Sequence, residues 1–174
     1  LASNVSETLA DVKVIAGENL DEAIFQPQWS PDGELYFVSD CNNWWNICRF
    51  TQGNRETVIE ASSEFATPLW QLGMSTYCFL NAQTIGCIWT NDGVWHTGTI
   101  DLFNGHLVPF DCNYTSMSSV CSYQGALCMV AGAATIPGEL VSIDQLSGST
   151  VIYAPASLSV DTKELSQPQS ILFS

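Results

Sequence analysis

The sequence predicts an all-β fold: a partial β-propeller of about three four-stranded antiparallel blades, with one extra strand before them. Three observations predict it. Short stretches recur at a spacing of ~40–45 residues, the repeat length of a propeller blade. The strand-forming run Leu35-Tyr36-Phe37-Val38 is apolar on both faces. A sheet packed between two others demands this, whereas the sheets of a β-sandwich keep one wet face and alternate. Finally, turn signals separate runs of strand-forming residues, and no stretch carries a convincing helical pattern. The nearest helical candidate is one turn around residues 20–23.

Taken in order, VKVIAG (residues 12–17) reads as the last strand of an earlier unit. The first blade spans about residues 26–60, with strands QPQW, ELYFVSD, WNICRF and RETVIE. The SPDG between its first two strands is a turn. Pro31 presets φ for the first central position, Asp32 suits the next, and Gly33 takes the left-handed conformation that closes it. The second blade spans about residues 67–110, with TPLWQL, then STYCFL or TIGCIW, then VWHTGTIDL and HLVPF. The third spans about residues 116–153, with SSVCSY, ALCMVAGA, ELVSIDQL and STVIYA.

Two internal matches support this layout. Pro27 and Trp29 of QPQW recur 41 residues later as Pro68 and Trp70 of TPLW. TIDLFNGHLVPF (99–110) matches SIDQLSGSTVIY (142–153) at an offset of 43, pairing Ile100 with Ile143, Asp101 with Asp144, Gly105 with Gly148 and Val108 with Val151. The second match reads as strand, tight turn, strand. Equivalent repeat positions place Trp29 and Trp70 in blade cores.

Residues 1–156 are thus assigned to the partial propeller, and residues 157–174, with SLSVDTKELSQPQ, to a polar linker. A closed propeller needs about four to eight blades. Three blades predict either a longer parent protein or assembly with copies of the chain. The start, LASNVSETLADV, has no initiator Met and no signal-peptide pattern, and SILFS ends within what reads as a strand. A fragment or domain of a longer protein is the expectation.

Composition narrows the function. The chain has 174 residues, enough for one domain with a real core, and 46% of them are apolar. With 4 basic against 18 acidic residues, the formal net charge is -14. That argues against nucleic acid, since phosphate binding runs on Lys and Arg, and against an anionic membrane surface. The carboxylates are scattered without a run, so solubility accounts for them better than a cationic ligand does. No segment reaches the roughly 18 apolar residues of a membrane span.

The 7 cysteines include no CxxC. Cys48, Cys78, Cys87, Cys121 and Cys128 lie in strand-like apolar runs, where a free thiol behaves as a small hydrophobe. Free thiols favour a reducing, cytoplasmic setting over a disulfide framework or a zinc site. Two sequon matches, at Asn4 and Asn113, point the other way, but such short matches are frequent by chance.

The words IFQPQWSPDGELYFVSD and NNWWNICRF, with the exit SQPQSILF, resemble the propeller domain of prolyl-oligopeptidase-family serine peptidases. The resemblance is to the branch of acylaminoacyl-peptidases and dipeptidyl-aminopeptidase-like enzymes. It is strongest over residues 24–50 and extends through blade pattern and linker; WSPDG alone also occurs in TolB-type propellers. In that family a C-terminal α/β-hydrolase domain follows the propeller. The resemblance therefore implies a non-catalytic, C-terminal part of a propeller that gates peptide substrates and docks the hydrolase domain. The catalytic Ser, Asp and His would lie beyond Ser174. The chain departs from the family at Cys41, where an Arg usually follows FVSD, and at Ile47-Cys48-Arg49-Phe50, where LYRF is usual.

Chemistry within the chain itself finds no support. GxSxG is absent, and GMSTY around Ser75 holds only its first half, in a strand context. His96 and His106 are the only histidines, on a strand and after a turn. No cofactor or metal motif occurs. Cys41 has no local His to serve as its base. The remaining site candidates are Asp40, Cys41, Asn43, Trp44 and Trp45, as a gate or domain contact. Successive strand residues point to opposite faces, so the two Trp side chains also fit blade packing, one into each neighbouring blade. The rival to the peptidase reading is a free-standing TolB-like module that self-assembles or binds a protein partner.

Overall fold

The computed structural model describes residues 12–18, 21–144, 148–155, 160–169 and 171. The start of the chain with Asn4, Leu20 of the candidate helical turn, and most of the terminal SILFS lie outside the described residues. Among the described residues, twelve strands form three four-stranded antiparallel sheets, each in sequential order. Blade one contains β1 (Ile24–Trp29), β2 (Leu35–Ser39), β3 (Asn46–Thr51) and β4 (Asn54–Thr57). Blade two contains β5 (Tyr77–Asn81), β6 (Thr84–Asn91), β7 (Val94–Asp101) and β8 (Leu107–Phe110). Blade three contains β9 (Ser116–Tyr123), β10 (Ala126–Ala133), β11 (Ile136–Asp144) and β12 (Gly148–Tyr153). A 3-10 turn, Thr162–Glu164, is capped by the Asp161 side chain. The all-β, partial-propeller expectation is borne out.

Local chemistry explains the hairpins. In SPDG the Gly33 N–H donates to Ser30 O at 3.0 Å, and Gly33 takes φ +82°. Pro27 falls where the β1–β2 register shifts, between Phe25 and Gln28, so its missing N–H costs no ladder bond. Gly105 and Gly148, matched in sequence, both take positive φ.

The core lies between blades. Tyr36, Val38 and Ile47 of blade one meet Tyr77, Ile85, Cys87, Trp89 and Ile100 of blade two. On the other side, Cys78 and Ile88 of blade two meet Met117, Val120, Leu127, Met129, Val141 and Ile143 of blade three. Strand β6 thus sends Ile85, Cys87 and Trp89 one way and Ile88 the other. This is the two-faced burial that apolar strands without alternation announce.

Three expectations are corrected. Residues 12–15 form no strand; Val12 and Val14 are exposed, and the segment lies against blade one with the Lys13 ammonium 5.0 Å from the Phe50 ring centre. The outer edge there, β4, is polar and exposed along its length, and offers no apolar face to a fifth strand. TPLWQL is not a strand either: STYCFL and TIGCIW are both strands, so blade two is complete without it. The QPQW–TPLW match is therefore coincidental, and Trp29 and Trp70 are 67% and 87% exposed rather than core. Trp70 sits in a turn, and Trp29 closes β1 on its solvent side.

Candidate functional site

The innermost strands of the three blades, β1, β5 and β9, surround an open cleft of about 460 Å³. Blade one contributes Gln26, Pro27 and Gln28; blade two contributes Ser75 and Tyr77 to Phe79; blade three contributes Val120 to Ser122. Side-chain hydrogen bonds tie these strands together. The Gln26 amide accepts from Thr76 N at 2.7 Å and donates to Tyr77 O at 2.7 Å, as a strand backbone would. Gln26 achieves this in a left-handed conformation, φ +47°. On the other side, Ser75 Oγ donates to Val120 O at 2.7 Å, and Val120 N donates back to Ser75 O at 3.2 Å. The cleft walls are therefore fixed by polar links, and its lining mixes amides and hydroxyls with Tyr77, Phe79 and Val120. Such a surface suits an extended peptide, whose backbone needs both donors and acceptors.

The loop between β2 and β3 carries the site residues read from the sequence. Asp40 Oδ1 accepts from Ala23 N at 2.8 Å, and Asp40 O accepts from Asn43 N at 2.9 Å. Asn43 takes φ +70°, as the turn requires. Cys41 is exposed, and its N–H donates to Ser39 Oγ. Trp45 N donates to Glu64 at 2.9 Å, and its ring packs on the core between blades one and two. Trp44 is 39% exposed. The structure brings Asp40 and Asn43 together, and separates the two Trp side chains into one packed and one solvent-facing. None of the five lines the inner cleft.

Beneath this loop, Asn46 is buried and bridges Ala61 and Ser63. Glu22 accepts from Gly17 N, Ser39 Oγ and Arg55. Burial raises the Glu22 carboxyl, but the bonds from Ser39 and Gly17 and the Arg55 charge outweigh it and hold it below its ordinary value.

Several of the remaining reactive groups are tied up in packing or hydrogen bonds. Ser75 is spent on the Val120 carbonyl. His96 is exposed and stacks on Trp89, and His106 is exposed. Burial pushes the Cys48 thiol up to about 11 and the Cys78 thiol up to about 12, and raises Cys87 as well. Cys121, expected as a small buried hydrophobe, is instead exposed beside the cleft, while its neighbour Val120 on the same strand is buried. Among the described residues no group of three His, Cys, Asp or Glu side chains is placed to hold a metal ion. No described helix is long and apolar enough to cross a membrane.

The sequence alone points to a channel lined near the inner strands, around Gln26–Trp29, Thr67–Trp70 and Ser116–Ser119. Gln26 to Gln28 do line the cleft. Trp29 does not, the 67–70 stretch is off the sheet, and blade three contributes the next three residues. The STYCFL run held the missing signal: taken as an extra strand before TIGCIW, it becomes the inner strand.

No protein-family model matches the sequence, and no curated protein matches it. Solved structures do. The chain is similar to puromycin hydrolase, at 28% identity and TM-score 0.78, over 85% of this chain and 23% of that one. It is similar to a puromycin-hydrolyzing peptidase of Mycobacterium tuberculosis, at 25% identity and TM-score 0.76, over 86% and 23%. It shares the fold of prolyl oligopeptidase B from Galerina marginata, at 11% identity and TM-score 0.58, over 82% and 20%. The chain thus spans between a fifth and a quarter of the solved proteins it matches. The family likeness read from its sequence holds in three dimensions: the chain is structurally similar to the propeller portion of prolyl-oligopeptidase-family peptidases.

Proposed function

We propose that this chain is the non-catalytic propeller segment of a serine peptidase, admitting peptide substrates along its inner cleft and docking an α/β-hydrolase domain. The observation that carries this reading is the match to puromycin-hydrolysing peptidases over 85% of the chain at 28% identity. The cleft supports the gate. It is walled by three inner strands held rigidly by Gln26 and Ser75, so its width selects by size rather than by adapting. The β2–β3 loop supports docking: Trp44 is a large exposed aromatic on a loop pinned by Asp40 and Asn43. Bond-making belongs to the hydrolase domain.

The test is to express the reading frame through to its natural stop. The product is then assayed against puromycin and against peptides of increasing length. Hydrolysis that falls off with length, with Trp44→Ala weakening domain contact, supports the gate and the dock. Hydrolysis indifferent to length sinks the gate, and a frame with no GxSxG domain sinks the peptidase reading.

A second reading rests on blade three. Val130, Leu140 and Tyr153 are exposed there and lie in line across the register on one face of the sheet. An apolar patch of this kind suits association with a further blade or another copy of the chain, as in a self-assembling module.

A further inference from the structure

Two thiols face each other across the β9–β10 hairpin. Cys121 and Cys128 are direct cross-strand partners in the antiparallel register. Directly opposed residues have Cα atoms about 4.5–5.5 Å apart, within the roughly 4.4–6.8 Å that a disulfide spans. Their side chains emerge on the same face of the sheet. Their Cβ atoms, about 4.5–5.5 Å apart in a regular ladder, need to close by only about 1 Å. Local slack is at hand: Ser119 takes φ +57°, and the register shifts just after Cys128. Cys121 is exposed and open to a small oxidant, whereas Cys128 is 4% exposed and protected. One thiol is placed to react first and the other to resolve.

We propose that Cys121 and Cys128 form a reversible redox pair that takes up a cross-strand disulfide when a hydroperoxide reaches the cleft. The Cys121 thiolate attacks the terminal peroxide oxygen. The O–O bond breaks, the leaving alkoxide or hydroxide takes a proton, and Cys121 becomes a sulfenic acid. The Cys128 sulfur then attacks the Cys121 sulfur; the S–S bond forms and the hydroxyl leaves as water with the Cys128 proton. In sum, two thiols lose two electrons and two protons, and the hydroperoxide is reduced to an alcohol (or water) and water. The bond staples β9 to β10 beside Val120 and Ser122, and so stiffens one wall of the cleft. A cross-strand bond that must draw its strands together is strained, which keeps it easily reducible. Burial, and then the neighbouring Cys128, hold the Cys121 thiol above its ordinary value. Oxidation is therefore slow near neutral pH and accelerates as pH rises.

Limited hydrogen peroxide applied to the folded 174-residue chain tests this, followed by alkylation under denaturing, non-reducing conditions and cleavage after Tyr123. That cut separates the two cysteines, so a bond between them appears as two linked peptides. The expected result is a product lighter by its two thiol hydrogens, with Cys121 and Cys128 losing alkylation by the same fraction. Thiol reductant restores both, and Cys121→Ser abolishes the linked species. Alkylation lost at Cys121 alone, linkage of Cys41 to Cys48, or a chain-to-chain dimer through Cys41 as the first product overturns the proposal. Because the wild-type map decides the question, it stands even if a variant misfolds.

Discussion

Gln26 and Tyr77 are bonded to each other twice: Gln26 Nε2 donates to the Tyr77 carbonyl at 2.7 Å, and Tyr77 Oη donates to the Gln26 carbonyl at 2.9 Å. The pair joins the innermost strands of blades one and two where no ladder runs between them. Gln26→Ala leaves Thr76 N and Tyr77 O unpaired, and Thr76 is fully buried. The expected cost is about 2–3 kcal/mol, because an unmet buried donor loses more than a hydrogen bond's net worth. Tyr77→Phe removes one bond and is expected to cost about 1 kcal/mol. Urea midpoints at constant slope measure both. A double-mutant cycle with no coupling would show that the two bonds do not act as a unit.

Close blade packing makes a second prediction at Gly86. A Cβ added there would lie 2.7 Å from Leu127 Cδ1 and 3.1 Å from Leu80 Cδ2. Leu127 is fully buried at the blade two–blade three contact and has little room to swing. Gly86→Ala is expected to destabilise by about 1–3 kcal/mol through overpacking, and Leu127→Val is expected to restore part of it. At Gly98 the obstacle is backbone, with Val108 O only 2.3 Å from the added Cβ. Gly98→Ala is therefore expected to be the more damaging of the two, and a melt of both variants ranks them.

Glu22 sets an acid limb. Its carboxyl titrates below its ordinary value of 4.5 in the folded chain. Between that value and the lower folded one, the unfolded chain binds more protons, so stability rises with pH through this window. The contribution is complete above the unfolded value and is lost as pH falls through the folded one. Glu22→Gln is expected to cost roughly 1–2 kcal/mol at neutral pH and to flatten the stability profile below about pH 4.5. Melting temperatures across pH 3 to 7 check it; parallel profiles for the variant and the wild type would mean that Glu22 is not the group responsible.

Blade count, the strands of blades one and three, and the SPDG turn were legible because each rests on local chemistry. Two-faced apolar runs and a glycine at a left-handed turn position carry their own signature. The inner cleft was half legible. Gln26 and Gln28 stood beside a recognisable turn, but β5 was obscured by a false repeat, since Pro-x-Trp recurs in a turn that only tertiary context places off the sheet. The same accident misassigned Trp29 and Trp70. The Gln26 clamp was out of reach, because its partners lie 50 and 51 residues away. No periodicity encodes a side chain that stands in for a strand.

The exposed apolar side chains of blade three carry the last prediction. Tyr153 on β12, with Leu140 and Val130 in line with it across the register on one face, offers a contact surface, while a formal net charge of -14 opposes bringing copies together. Salt shortens the reach of that repulsion from about 30 Å at 0.01 M to about 10 Å at 0.1 M. Burial of apolar surface is not weakened by the same change. Association of this chain is therefore expected to rise with salt, which light scattering behind a sizing column measures across protein concentration. Leu140→Lys with Tyr153→Lys is expected to abolish it while leaving the melting temperature nearly unchanged, because both residues are exposed on the same face. A monomer at every salt concentration would show that blade three does not bind copies of the chain.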